Sequence, residues 1–443
     1  MSVSVRALEQ ESVMQVTKRV VGNDGRSYSY WRLRILYASI LGYAAFYLVR
    51  QNFAMALPAI SAEFNYTKAE LGWVISAFSL VYGLGKFFNG YLSDRSNARY
   101  FITIGLVGTA VISLFMGTTS WLWAFAGLWA VNGWFQSMGW PPCARLLTHW
   151  FSSNELGTKW SIWSSSHQIG SAAISVLAGF LIVNYGWRYA FFVPGLLALA
   201  AALFVMNRVR DNPKVLGFPP VEEYKNDVKS DCDEKPKISL SEVYELVIKN
   251  KYVWFVSIAN LFLYIPRMGV MNWAPIFLKE FKGVDLIVAG GQVAIFDIAG
   301  LLGGLGAGWV SDKFFAGRRG PVGTVYLILL SGAILALISV PAGFPLLDTI
   351  CLFFAGFLVS GPQVLVGVSL ADFTSKRAVG VATGFAGVMG HGIGSVISGG
   401  VLGNIIDTWG WAGGFNLLIA SSLAGAFFFA LTWRKKRKES KAA

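Results

Sequence analysis

Carboxylates are scarce in this chain. Its 443 residues hold 24 Asp and Glu against 37 Lys and Arg, and charged side chains make up only 14% of it. Ordinary soluble domains carry about 25% charged residues, so this composition excludes a surface that faces water throughout. Cysteine and histidine number three each. Cys143, Cys232 and Cys351 have no paired spacing, which excludes a disulfide framework or a cysteine metal centre, and no cofactor or metal is expected. A phosphate-cradling glycine loop, metal-ligand spacing and a nucleophile elbow are all missing, so the chain does not read as an enzyme. The first 30 residues lack the short apolar core and small-residue cleavage site of a secretory signal, and the N-terminus is expected to stay in the cytoplasm.

What the chain has is apolar length: 55% of it is hydrophobic, and its mean hydropathy is positive. Stretches of about 20 residues recur, each long enough as a helix to cross a hydrocarbon core of about 30 Å. They predict an all-α membrane protein with twelve transmembrane helices, near residues 34–58, 70–93, 100–118, 120–145, 159–185 and 188–208, then 251–275, 288–311, 322–341, 345–370, 377–404 and 411–433. The formal charge of +13 would suit nucleic acid, but the basic residues sit between apolar runs, so the reading is a lipid bilayer and no nucleic acid. Alternate loops take nearly all of them: Arg32, Arg34, Arg95, Arg99, Lys159, the loop from Arg208 to Lys251, Lys313, Arg318, Arg319, Lys376, Arg377 and the tail Arg434 to Lys438. The other side has little beyond Lys68, Arg188, Lys279 and Lys282. An excess of Lys and Arg marks cytoplasmic loops, which assigns both termini and the long middle loop to the cytoplasm. The expected organisation is a cytoplasmic segment 1–30, a six-helix bundle 31–208, a linker 209–250, a second six-helix bundle 251–433 and a basic tail 434–443.

The halves echo each other. "GYLSDRSNAR" and "GWVSDKFFAGRR" place Gly90, Asp94 and Arg95 each 218 residues before Gly308, Asp312 and Lys313. "HQIGS" from His167 returns as "HGIGS" from His391. Parallel six-helix repeats around a midplane site are a transporter architecture, and the doubled glycine–aspartate–cation signal resembles the major facilitator superfamily. Asp94, Arg95, Asp312 and Lys313 read as gating residues that tie helix ends, with a purely structural turn as the plainer alternative.

A charge deep in a spanning helix costs roughly 2.5 to 3.5 kcal/mol on insertion scales and marks a functional candidate. Arg50 in "FYLVRQNF" and Arg267 in "LYIPRMGVMNW" lie 16 residues beyond Arg34 and Lys251 respectively, about 24 Å along a helix. Spans one and seven are equivalent in the two halves, so two guanidinium forks can face one anion, and a phosphate monoester suits them. The alternative is that either Arg reaches an interface or pairs with Asp297. Lys86 adds a cation unless it, too, pairs with Asp297 or reaches the membrane edge. Asp297 is the one comparably deep carboxylate. His167 and His391 offer donors or proton carriers, or simply pack. Among the aromatics, Tyr47, Trp163 and Tyr264 fall within about a turn of Arg50, His167 and Arg267 and could line a sugar site.

"GYAAFYLVRQNFAMALP", "GWFQSMGWPPCARLL", "LGFPPVEEYKND" and "ANLFLYIPRMG" are similar to the organophosphate:inorganic phosphate antiporter family, nearest its bacterial hexose-phosphate branch of transporters and a membrane sensor. The resemblance implies that Arg50 and Arg267 bind phosphate, that His167 and Lys86 match the family's span-five histidine and span-two lysine, and that a sugar phosphate such as glucose 6-phosphate exchanges for inorganic phosphate by alternating access. It implies a monomer in the bacterial inner membrane. Gln51 and Asn272 depart from it, standing where a lysine and an aspartate are common. The rival readings are a sensor of external hexose phosphate with a signalling partner, a glycerol-3-phosphate antiporter, and a proton-coupled organic-anion symporter relying on Asp297.

Overall fold

Backbone inside a bilayer has no water to bond with, so an apolar run must satisfy its own N–H and C=O groups as a helix. A computed structural model of the protein describes residues 21–225, 242, 244–315, 317–374 and 378–434. Cys232, Lys376, Arg377, the first 20 residues, linker residues 226–241 and 243, and the tail beyond Arg434 lie outside them. Among the described residues the regular elements are helical, and a lone β-bridge joins Val21 to Ser27.

Ten helical runs are long and apolar enough to cross a membrane, and the fold carries twelve spans. Span one is Tyr28–Leu48 continued by Asn52–Phe64. Span two is Lys68–Asp94, span three Ala98–Met116. Span four, Leu122–Gln136 and Trp140–Trp150, is interrupted before two prolines, so neither piece alone reaches spanning length. Span five joins Ser153–Ser164 to Ser166–Tyr185, and span six is Tyr189–Arg208. Spans seven to ten are Lys251–Glu280, Leu286–Phe314, Arg319–Ser339 and Pro345–Phe373. The last run, Val379–Ala430, has 52 residues, about 78 Å at the helical rise and more than twice a hydrocarbon core. Gly410 divides it into spans eleven and twelve, with φ 68° and ψ −175° that a residue bearing a Cβ rarely adopts.

Several helices outrun the expected limits. Span one begins at Tyr28 rather than 34, where Ser27 accepts from the Tyr30 N–H at 3.2 Å, and ends at Phe64 before a left-handed Asn65. Hydropathy marks where hydrocarbon ends, whereas a helix continues until something caps it. The outer surface is apolar: Phe87 is 78% and Leu203 73% exposed, as lipid-facing positions in a bundle should be.

Each half is stapled at its loops. In the first, Arg145 donates to the carbonyls of Ser93 and Ser96 and pairs with Asp211 at 2.5 Å, while Asp211 also accepts from the Ala98 N–H at 2.8 Å. The chain's entry and exit are zipped together there. The Asn23 N–H donates to Leu216 O at 2.9 Å, the Tyr28 hydroxyl to Pro219 O at 3.2 Å, and the Tyr28 and Tyr224 rings stack 4.1 Å apart. In the second half Arg319 ties Asp312 at 2.6 Å and Asp372 at 3.5 Å. On the opposite face Lys282 and Asp348 pair at 3.1 Å, both side chains 1% exposed, and Lys282 also donates to the Leu337 carbonyl at 2.9 Å.

Breaking a buried pair strands one charge, whereas replacing both partners by apolar groups removes the problem. Lys282→Met should therefore lower stability by about 3–5 kcal/mol, and adding Asp348→Leu should recover most of it. Thermal unfolding of the detergent-solubilised variants reads both; equal losses in the single and double variants would refute the account.

Candidate substrate site between the halves

Span one breaks at Val49–Gln51, where the N–H groups of Arg50 and Gln51 both turn back to Tyr47 O at 3.2 and 3.1 Å. The break presents Arg50 inward, with its guanidinium 4.5 Å from the Tyr82 ring, 5.1 Å from Phe78 and 5.2 Å from Tyr47. Lys86 lies one helical turn beyond Tyr82, its ammonium 4.7 Å from that same ring. Tyr82 thus serves two cations with one quadrupole.

Arg267 enters from the second half. It follows Pro266 in span seven, is 6% exposed, and donates to the side-chain carbonyl of Gln363 in span ten. Tyr264 packs against His391 with ring centres 4.4 Å apart, and His391 in turn lies 5.6 Å from Tyr82 of the first half. Span eleven can come this close because a Cβ at Gly390 would meet Tyr264 and Asn260 at about 2.7 and 2.6 Å. His167 lies 5.6 Å from Tyr47 and donates from Nδ1 to the Ser164 carbonyl, which can only accept. Tyr82, which carries Arg50 and Lys86, is thus joined through His391 and Tyr264 to Gln363 and so to Arg267. Cations of the two halves therefore share one central region.

Two expected site residues sit elsewhere. Trp163 is fully buried behind the site, packed on Tyr43 at 5.1 Å and Trp140 at 4.7 Å. Asp297 accepts from the Ser171 hydroxyl at 2.5 Å and so links span eight to span five. Lys86 stays with Tyr82. Of the gating set, Asp312 meets Arg319, Lys313 lies 4.8 Å over Trp309, Arg95 lies 3.6 Å over Tyr91, and Asp94 is exposed. These contacts stay within one half.

Sequence reasoning missed Tyr82, Gln363, Ser171 and Arg145. Tyr82 stood four residues before Lys86, a spacing that stacks side chains on a helix, and Gln363 was a polar residue beside Pro362 in an apolar span. Neither carries a charge, and charge was what drew attention. The positions Gln51 and Asn272 line one small cavity with Arg50, Phe78, Ser79, Trp129 and Met271, and Gln51 donates to Met271 O at 2.7 Å across the halves.

The model of the Major Facilitator Superfamily matches residues 39–390. The chain belongs to that superfamily. It is 41% identical over 429 residues to the probable hexose phosphate transport protein of Chlamydia pneumoniae, covering 94% of each chain. It is 37% identical to the glycerol-3-phosphate transporter of Bacillus subtilis, over 93% of this chain and 94% of that one. Against the membrane sensor protein UhpC of Escherichia coli the figure is also 37%, over 88% and 90%. A bacterial homologue of the human lysosomal transporter Spinster, solved inward-facing and occupied, shares the fold with a TM-score of 0.71 at 17% identity, covering 92% and 97%. Superfamily membership also bears out the expectation that the chain is no enzyme.

Contacts between the halves run from the middle of the bundle to the face opposite the basic loops. Ser76 donates to Val396 O and accepts from the Gly400 N–H, both at 2.8 Å. Asp407 caps span two by accepting from the Lys68 and Ala69 N–H groups at 3.1 and 2.6 Å, and Lys68 pairs with Glu280 at 3.0 Å. A Cβ at Gly72 would stand 2.5 Å from the Gly399 carbonyl, and one at Gly179 2.5 Å from that of Leu286. The described contacts between the halves therefore gather on one face. Gly72→Val should wedge the closed face open, raising labelling of a cysteine placed at Ser76 by an impermeant maleimide; unchanged labelling would count against this seam as the seal.

Proposed function

We propose that the protein exchanges a sugar phosphate for inorganic phosphate across the bacterial inner membrane by alternating access, with a hexose phosphate such as glucose 6-phosphate as the favoured cargo. Its basic loops and both termini face the cytoplasm, following the excess of Lys and Arg there, so the described seam between the halves lies toward the opposite face. What supports the reading most directly is that Arg50 and Arg267 enter from opposite halves and are linked through Tyr82, His391, Tyr264 and Gln363, with Lys86 on the same Tyr82 ring and Asp297 already bonded to Ser171. Each guanidinium can give two parallel hydrogen bonds to phosphate oxygens, and together they offset a charge approaching −2. Similarity to transporters named for hexose phosphate and glycerol 3-phosphate points to the same class of substrate.

The central step is electrostatic. A bound phosphate lets the halves close over it, because the cations then cross neutralised; an empty cavity keeps its charge and crosses poorly. Exchange follows without ATP, and one chain suffices because both arginines belong to it. Tyr47, Tyr264, His167 and His391 are placed to address the sugar and remaining phosphate oxygens. A sensor has the similarity to UhpC in its favour, and would bind hexose phosphate without rapid exchange.

Proteoliposomes loaded with labelled phosphate separate these readings. Efflux should require external phosphate or sugar phosphate; equal efflux into plain buffer would defeat exchange, and tight binding with no efflux would favour the sensor. Arg50→Lys and Arg267→Lys keep the charge but lose the fork, so each should slow exchange by roughly 100-fold, the scale of a charge-assisted hydrogen-bond pair.

A further inference from the structure

Every cation in the central region rests on a neutral partner, but the partners differ in kind. Arg50 and Lys86 share the Tyr82 ring, and Arg50 lies over Phe78 as well. Arg267 instead has a directional acceptor, the Oε1 of Gln363. Its Nε has no hydrogen-bond partner, so among its described contacts that amide is what sets the plane of the fork. The far side of the amide is held as well: Gln363 Nε2 points to the Tyr264 hydroxyl at 3.5 Å. The orientation of the amide is therefore determined, because a flipped amide would turn N–H donors against the donors of Arg267. Gln363 follows Pro362 in span ten, at a point where the helix lacks one of its own N–H donors.

We propose that Gln363 is the positioning residue for Arg267: it fixes the guanidinium plane toward the cavity without cancelling its charge, and so sets the affinity for the phosphate head group. The inference rests on the reading of Arg267 as a phosphate ligand. An amide is suited to the task because it accepts as a carboxylate does yet adds no charge, leaving the full unit of Arg267 for the cargo. A carboxylate at the same point would hold the fork equally well and neutralise it. An apolar side chain would leave the charge and release the fork. The two substitutions separate orientation from charge.

The experiment measures exchange of inorganic phosphate against itself in proteoliposomes, so that no sugar contact contributes, alongside phosphate binding to detergent-solubilised protein by calorimetry. Gln363→Leu should raise the apparent KM for phosphate on the order of ten-fold, the loss of one hydrogen bond to a charged group, with a smaller change in maximal rate. Gln363→Glu should raise it on the order of a hundred-fold or more. Gln363→Asn, which keeps the acceptor on a shorter stem, should lie between wild type and Gln363→Leu. A wild-type KM in Gln363→Glu, or equal losses of rate and affinity in all three variants, would overturn the assignment. Should the wild-type protein bind phosphate without exchanging it, the antiport reading fails while the binding constants still judge Gln363; should it neither bind nor exchange phosphate, both fail together.

Discussion

Three cations in an apolar bundle, held by neutral groups, are the constraint around which the rest of the molecule is arranged. A cation–π contact contributes about 0.5 to 2 kcal/mol, less than the roughly 2.5 to 3.5 kcal/mol that each charge costs inside a membrane. Tyr82 and Gln363 therefore hold Arg50, Lys86 and Arg267 without settling the electrostatic imbalance. The scarcity of carboxylates has a place in this arrangement. Asp211, Asp312 and Asp348 are taken up by Arg145, Arg319 and Lys282 near the membrane faces, and Asp407 by a helix N-terminus. Asp297, the one that reaches the interior, is engaged by a hydroxyl.

Ties within a half and ties between halves differ in where they lie. Inside each half, buried ion pairs and multiply bonded arginines lock loops to helix ends. Between halves, hydroxyl and backbone bonds such as Ser76 to Val396 and Gln51 to Met271, each contributing about 0.5–1.5 kcal/mol, stand beside the Lys68–Glu280 pair and the Asp407 cap at one rim. Glycine surfaces such as Gly72 on Gly399 bring backbones together without interlocking side chains. Two rigid bodies joined by a seam of individually weak contacts can separate without either one unfolding, which is the mechanical requirement for exposing a central site to alternate sides.

The helical membrane fold and its number of spans were legible in the sequence, because they rest on composition, and Arg50 and Arg267 drew notice as charges where charge is costly. Helix ends were less so: Tyr28 continues span one through a Ser27 cap that hydropathy does not register. The break at Val49–Gln51 carries no proline or glycine to announce it. Trp163 shared a helical turn with His167 yet faces Tyr43 and Trp140, since spacing along one helix does not say which neighbour lies opposite. Gln363 and Tyr82 were hidden for another reason. Their part depends on what stands across the cavity, and an uncharged side chain gives no sign of that until the partner is in place.

The zipper at the basic face, where Asn23 meets Leu216 and Tyr28 stacks on Tyr224, ties the opening stretch of the linker back to the start of span one. Any pull along that linker is absorbed at one knot instead of being transmitted through six helices. The first half is thus fastened to its own opening turn without help from its partner.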